Sequence, residues 1–399
     1  MIWRKFAALL FSLMFIVSAV SFGNVLASDA EANTGVTVIL VSDNEADSAL
    51  AEYLASITGA IVVVTPWGVY DPNVTATVMG YGPDRVIIIG GPDAVVKMYE
   101  GDLAGLNITV ERWWGKNRYE TNLAAIGNAT AKLRIKFEDH VIVVPGNDTA
   151  AIEVALRKAV KVHGLIIFAN STTDIARIMM KIGVYPKNMT IIRTPITREI
   201  AEKIREKARN RVEGNVTEVE VNITAEMALK AINMSEERVA TAEELLANVT
   251  LLEQKRWLAE KMLDLAKKEL GRAKEAYEDS NYGRAYGQAI AAKAHAEFVI
   301  RIASGEWQEM VKKDSLMMAR VFLHRVEVQL KIMENAGIDV TEIKVLVDQL
   351  RVAIENGESD IIPQLVDRIR QKLLEVYTRE KGKFKEHIVF PAHGQAGEP

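Results

Sequence analysis

Pro83, Ile88, Ile89 and Pro92 return as Pro186, Ile191, Ile192 and Pro195, each 103 positions further on and inside matching strand-then-turn frames. Asn44 and Asn147 share that offset. With a drift of a few residues, Glu120, Leu123 and Ile126 return as Glu226, Leu229 and Ile232. A duplication of this kind restricts the first part of the chain to two like units placed in tandem. In each unit, continuous Val and Ile runs alternate with helical stretches. Strands are expected at 36–41, 60–65, 85–89 and 108–112, with helices at 46–56 and 94–103. The second set is 140–144, 164–169, 189–193 and 216–221, with helices at 151–162 and 196–209. Uninterrupted apolar strands alternating with helices predict an α/β fold, two tandem doubly wound and mostly parallel repeats, with the strands buried on both faces.

Near residue 235 the character changes. The last 164 residues hold 53 charged side chains, about a third, whereas the first 235 hold 49, about a fifth. Leu245, Leu246, Val249, Leu252, Trp257, Leu258, Met262, Leu265 and Leu270 recur at helical spacing over 236–278. Further helices are expected at 284–303, with a stripe of Ala285, Ala291, Ala294 and Ala296, and at 307–335, 341–356 and 360–380. Short Gly-containing stops at 336–337 and 356–357 predict antiparallel hairpins, either a helical bundle or a stalk. The expected organisation is a signal peptide at 1–30, repeats at 31–137 and 138–235, a helical domain at 236–386 and a tail at 387–399.

Arg4 and Lys5 precede an apolar run at 6–20, and small residues follow at 25–30, the layout of a secretory signal. An uncleaved anchor is the rival reading, since the apolar segment stretches towards the ~20 residues that a span needs. The sequence Asn-x-Ser/Thr begins at Asn73, Asn107, Asn128, Asn147, Asn170, Asn188, Asn215, Asn222, Asn233 and Asn248, and not afterwards. These account for ten of the fifteen asparagines between Asn33 and Asn248, where composition would give about two. An exported, glycosylated cell-surface or envelope protein is therefore expected; the plainer account is that Asn-hydrophobic-Thr suits strand ends and helix caps. With no cysteine, such a chain is held by packing and charge pairs, and its many Glu–Lys and Glu–Arg pairs suit a thermophile. A net charge of -4 leaves no basic footprint for nucleic acid.

The stretch Arg112-Trp113-Trp114-Gly115-Lys116-Asn117-Arg118-Tyr119-Glu120-Thr121-Asn122 follows the turn Ile89-Gly90-Gly91 and, further back, Asn44-x-x-Asp47. Arg112 and Arg118 are planar donors suited to carboxylate or phosphate, and Tyr119 and Trp114 offer flat faces to sugar rings. The same residues also admit a structural use, with Arg118 and Glu120 paired at a helix start, the tryptophans in a core, and Asn44 and Asp47 as helix caps. The pattern resembles the type 2 cell-wall-binding repeat at Gly90, Gly91, Arg112, Gly115, Arg118, Tyr119 and Thr121. The likeness is close over about 36–130 and holds only in outline over 138–235, where Arg193-Thr194 replace the glycines. The resemblance implies a secreted surface protein that attaches noncovalently to an anionic envelope polymer. It also implies Gly90, Gly91, Arg112, Arg118, Tyr119 and Thr121 as polymer-binding residues; Trp114, where with Trp113 the sequence departs from the usual aliphatic and small residues, joins them for the flat face it offers a sugar. Family members usually carry three repeats, so two copies point to homo-oligomer formation.

No catalytic constellation is evident, and no metal or cofactor site is expected. His140, His163, His295, His324, His387 and His393 are scattered without ligand spacing, and neither a Gly-x-Ser-x-Gly elbow nor a His-Glu-x-x-His helix occurs. The expected role is therefore non-catalytic attachment to an envelope polysaccharide, an anionic polymer or a surface-layer protein. Membrane contact is expected only through the signal segment. The alternative is an assembly protein whose helices make the contacts, with the α/β half as scaffold. A glycan-acting enzyme, needing two carboxylates across a cleft, is the third reading.

Overall fold

The computed structural model describes residues 35–386, apart from 184–185 and 209–213. The signal expected at 1–30 and the tail at 387–399 lie outside the described residues. Among these, eight strands form two four-stranded parallel sheets, and a helical region follows. Sheet 1 comprises β1 (Thr37–Ser42), β2 (Ile61–Thr65), β3 (Arg85–Ile89) and β4 (Thr109–Trp113) in the order β2-β1-β3-β4. Sheet 2 repeats that order with β5 (Glu138–Pro145), β6 (Gly164–Ala169), β7 (Asn188–Arg193) and β8 (Asn215–Glu220) as β6-β5-β7-β8. The sequence offset is the structural register. Leu40 pairs with Ile88 and Val143 with Ile191, both pairs shifted by 103. By the last strand the shift has grown to 106, since Ile88 pairs with Arg112 and Ile191 with Glu218.

The crossovers are α1 (Glu45–Thr58), α2 (Pro72–Gly80), α3 (Met98–Ala104) and α4 (Arg118–Lys132), then α5 (Thr149–Val162), α6 (Ile175–Ile182) and α7 (Arg198–Ala208). Sequence periodicity does not reveal α2 and α6. The first is short and broken by Thr and Gly, and opens on an Asp71 cap with Pro72 behind it. The strand at 216–221, expected to be buried, is an exposed edge: β8 holds Glu218 and Glu220, which receive Arg193. Edge strands with charged side chains resist pairing with other chains.

The helices are α8 (Ala225–Asn248), α9 (Glu253–Glu278), α10 (Tyr282–Lys313), α11 (Ser315–Asn335), α12 (Thr341–Asn356) and α13 (Ile362–Glu386). The stretch expected as one helix over 236–278 is two. The chain turns extended at Val249, and Val249 and Leu251 are buried. The break expected at 303–307 lies instead at Asp314, whose carboxylate accepts from Leu316 N (2.9 Å) and Met317 N (3.0 Å) to cap α11. The buried small stripe of α10 is Ala285, Ala289, Ala292, Ala296 and Ala303, close to a heptad; Ala291 and Ala294 fall outside it.

Three cores result. Sheet 2, the Ile39/Val41/Ile87/Ile89 face of sheet 1, and helices α1, α4 and α5 share one. The opposite face, Val38/Leu40/Val86/Ile88, packs with α2 and α3, and this second core continues into α11–α13 through Phe322, Val326, Leu330 and Met333. The third holds the alanine faces of α8–α10. Residue 235 sits within α8, which starts as the last helix of repeat 2, in the place of α4, and runs on into the bundle. A chain ending at residue 314 loses Phe322, Val326, Leu330 and Met333 of α11, each contributing about 1.5–3 kcal/mol by burial, together with the core faces of α12 and α13. It is expected to be insoluble or to bind hydrophobic dye without a cooperative unfolding transition; a soluble, cooperatively unfolding product would contradict the shared core.

Candidate functional site

Gly90 ends β3 at φ +126°, a conformation that side chains rarely adopt. Its N–H donates to the Trp113 carbonyl (3.2 Å). From β4, the largely buried Arg112 donates through Nη1 to the carbonyls of Gly90 (2.8 Å) and Val95 (2.9 Å), and through Nε to Glu100 (2.7 Å). These bonds engage Nε and Nη1 in holding the turn. The Trp114 ring lies on Gly91, where an added Cβ would sit 3.3 Å from Cε3, while the ring remains 48 % exposed. Trp113 is buried and donates from Nε1 to Glu111 (3.2 Å).

Beyond the tryptophans the chain turns sharply. A Cβ at Gly115 would stand 2.2 Å from that of Glu120, so glycine is required there. The Gly115 N–H donates to the buried Thr121 hydroxyl (3.1 Å) and Lys116 N to Glu120 (3.0 Å). Asn117 caps α4 by accepting from Tyr119 N and Glu120 N. The expected Arg118–Glu120 pair does not form. Arg118 reaches the other repeat and donates to the Gly146 carbonyl (2.8 Å), with the Tyr119 ring against the same glycine. Asn122, which closes the marked stretch but to which the sequence assigns no role, is fully buried, donates to the Ile166 carbonyl (3.2 Å) and accepts from Phe168 N (3.0 Å). A side-chain amide thus pairs with edge strand β6 as another strand would. Its signal was its place at the end of that stretch.

The carboxyl ends of β1 and β3 bound the crevice where doubly wound sheets take ligands. Asn44 caps α1 there, accepting from Ala46 N (3.2 Å). Arg238 of α8 donates to both Asp43 oxygens (2.9 and 2.5 Å), and Asp43 also accepts from Trp67 N (2.8 Å). Lys293 of α10 pairs with Glu45, and Glu297 lies 3.6 Å from Arg238 and 3.8 Å from Lys293. Burial raises the Glu45 carboxyl, but the charge and hydrogen bonding of Lys293, helped by a backbone hydrogen bond and by Arg118, together hold the group below its usual range. Asp47, 6 % exposed, has an oxygen without any partner. Burial pushes its pKa up from 3.8 to about 7 against the pull of Arg118, with Glu297 and Glu45 adding to the rise.

At the matching mouth of sheet 2, Asp148 caps α5 and accepts from Ala151 N (3.2 Å), Thr194 N (3.0 Å), the Thr194 and Thr197 hydroxyls (2.8 and 2.5 Å), and Tyr286 of α10 (3.3 Å). Arg193-Thr194, in place of two glycines, close this mouth. Helix α10 therefore crosses both mouths, from Tyr286 at sheet 2, past Lys293, to Ser304 on the Gly68 carbonyl. That path covers about 27 Å at 1.5 Å per residue.

No family model matches the chain. An uncharacterized protein of Methanocaldococcus jannaschii is 29 % identical over 289 residues, covering 69 % of this chain and 78 % of that one. The solved structure of Cwp6 from Clostridium difficile aligns with a TM-score of 0.39 and 19 % identity, over 47 % of this chain and 30 % of its own. Among the described residues, no helix is long and apolar enough to cross a membrane, and no three His, Asp or Glu groups are placed to hold a metal ion.

Two outcomes are expected. The unfolded chain releases the Asp47 proton near pH 3.8, whereas the folded chain holds it to about 7. This contribution to stability is present in full below about pH 4 and is lost as pH rises through 7, at most about 4 kcal/mol. Asp47→Asn should thus match the wild type at pH 4 and exceed it at pH 8 in urea unfolding; a difference independent of pH would contradict this. Asn122→Ala leaves Phe168 N unpaired and is expected to cost about 1–3 kcal/mol in the same measurement.

Proposed function

We propose that this chain is an exported, glycosylated surface protein that attaches, without catalysis, to a sugar-based envelope polymer or a surface-layer component. The supporting observation is where its asparagines lie. Of the ten in Asn-x-Ser/Thr sequences, eight are exposed and Asn128 and Asn170 are half-buried, whereas the buried Asn44 and Asn122 belong to no such sequence. Acceptors thus sit where a glycan has room. The resemblance to type 2 cell-wall-binding repeats adds the ligand class. The exposed Trp114 ring on the Gly91 backbone is the flat surface on which a sugar would rest, with Lys116 exposed beside it. Attachment is favoured over hydrolysis because Asp43 and Glu45 at the mouth are engaged by Arg238 and Lys293.

A second reading, assembly through the helices, is favoured by Val345 and Val352 left exposed on α12 and Ile361 in the turn that leads into α13. Fractionation of native cells tests the first. The protein should sediment with envelopes, leave them in a salt wash, and have a mass above that of its sequence by glycan increments. Trp114→Ala, at a half-exposed position, should retain the fold and weaken cosedimentation about tenfold, of the order measured for stacking residues. A cytosolic protein of unmodified mass would overturn the proposal.

A further inference from the structure

Helices α12 and α13 form a hairpin through Gly357, at φ +71°. One side of it builds the second core. The other side is apolar as well: Val345 and Val352, seven residues apart on α12, are 53 % and 52 % exposed, and Ile361 is 42 % exposed. Between the helices lies an open groove of about 580 Å³, with Ala353 and Leu365 among its lining. A hairpin with an apolar outer groove is half of a four-helix bundle, and what completes it most simply is a second hairpin.

The charges say which one, and in what direction. Among the described residues Arg368, at the open end of the groove, makes no ion pair, and the carboxylate of Glu358, at the turn end, receives only the Asn356 amide (2.8 Å), whereas Asp348, the other acid on the lining, is engaged by Arg351 (2.5 Å). Gln349 and Gln364 lie midway. A two-fold axis through those glutamines turns a second copy end for end. Each Arg368 then faces the end of its partner that carries Glu358, Val345 lies over the Val352–Ile361 layer, and the amides meet one another. Hairpins in the same direction would instead set Arg368 against Arg368. No Asn-x-Ser/Thr sequence falls on α9–α13, so glycans on the α/β half leave this face open.

We propose that the outer face of α12–α13 is an isologous homodimer interface. The purified full-length chain should sediment as a dimer at micromolar concentrations. Val352→Asp, at a half-exposed position, should yield monomer. Arg368→Glu and Glu358→Arg should each weaken the dimer about tenfold or more, and the chain carrying both should recover it, because the swap restores opposite charges. A wild type still monomeric at about 100 μM, or a dimer that none of these variants weakens, overturns the proposal. If Val352→Asp does not fold, the charge swap decides. None of these readouts involves envelope attachment, so failure here leaves the surface reading standing, and the reverse.

Discussion

Helix α10 cannot lie across the sheet mouths without answering the acids already there. Asp43 and Glu45 leave β1 as the chain turns into α1, and Glu45, the more buried of the two, would be stranded if the helix brought only its alanines. Arg238 and Lys293 supply the cations, Glu297 sits between the two, and Tyr286 does the equivalent for Asp148 at the other mouth. Breaking one member of such a buried set leaves an uncompensated charge, which costs more than the intact set contributes. The place where doubly wound folds usually admit a ligand is here the joint between the α/β half and the bundle.

The two repeats have kept a backbone and divided its uses. In repeat 1 the turn after the third strand is glycine, clamped from beside by Arg112 and covered by a tryptophan half open to solvent. In repeat 2 the same turn is threonine, folded inward to saturate Asp148. Residues that sequence reading marks for a polymer thus fall into three groups. Gly90, Arg112 and Thr121 hold the turn and the start of α4, Arg118 and Tyr119 lie against the other repeat, and Trp114 and Gly91 face outward together.

Much of this was legible beforehand because it rests on local or periodic signals. A buried parallel strand needs an unbroken Val/Ile run, so β3 and β6 were placed to the residue, and a shift of 103 between identical residues is also a shift between equivalent pairs. What was illegible depends on partners far along the chain. Nothing near Asn122 announces a donor in Phe168 N, and nothing near Glu45 announces Lys293, 248 residues away. The continuous helix expected over 236–278 failed for a related reason. Leu and Val at 249–252 satisfy helical spacing equally well as a buried turn.

Because α8 is at once the closing helix of repeat 2 and the opening helix of the bundle, there is no hinge between them. Ile232 packs in its first half and Arg238 reaches Asp43 less than two turns later. One residue inserted between them would rotate everything beyond by about 100° and carry the arginine away from its acid. The junction behaves as a keyed shaft: its length is fixed, the buried Ser235 in it donates to the Ala289 carbonyl of α10 (2.6 Å), and whatever load is placed on the bundle arrives directly at the core of the repeats.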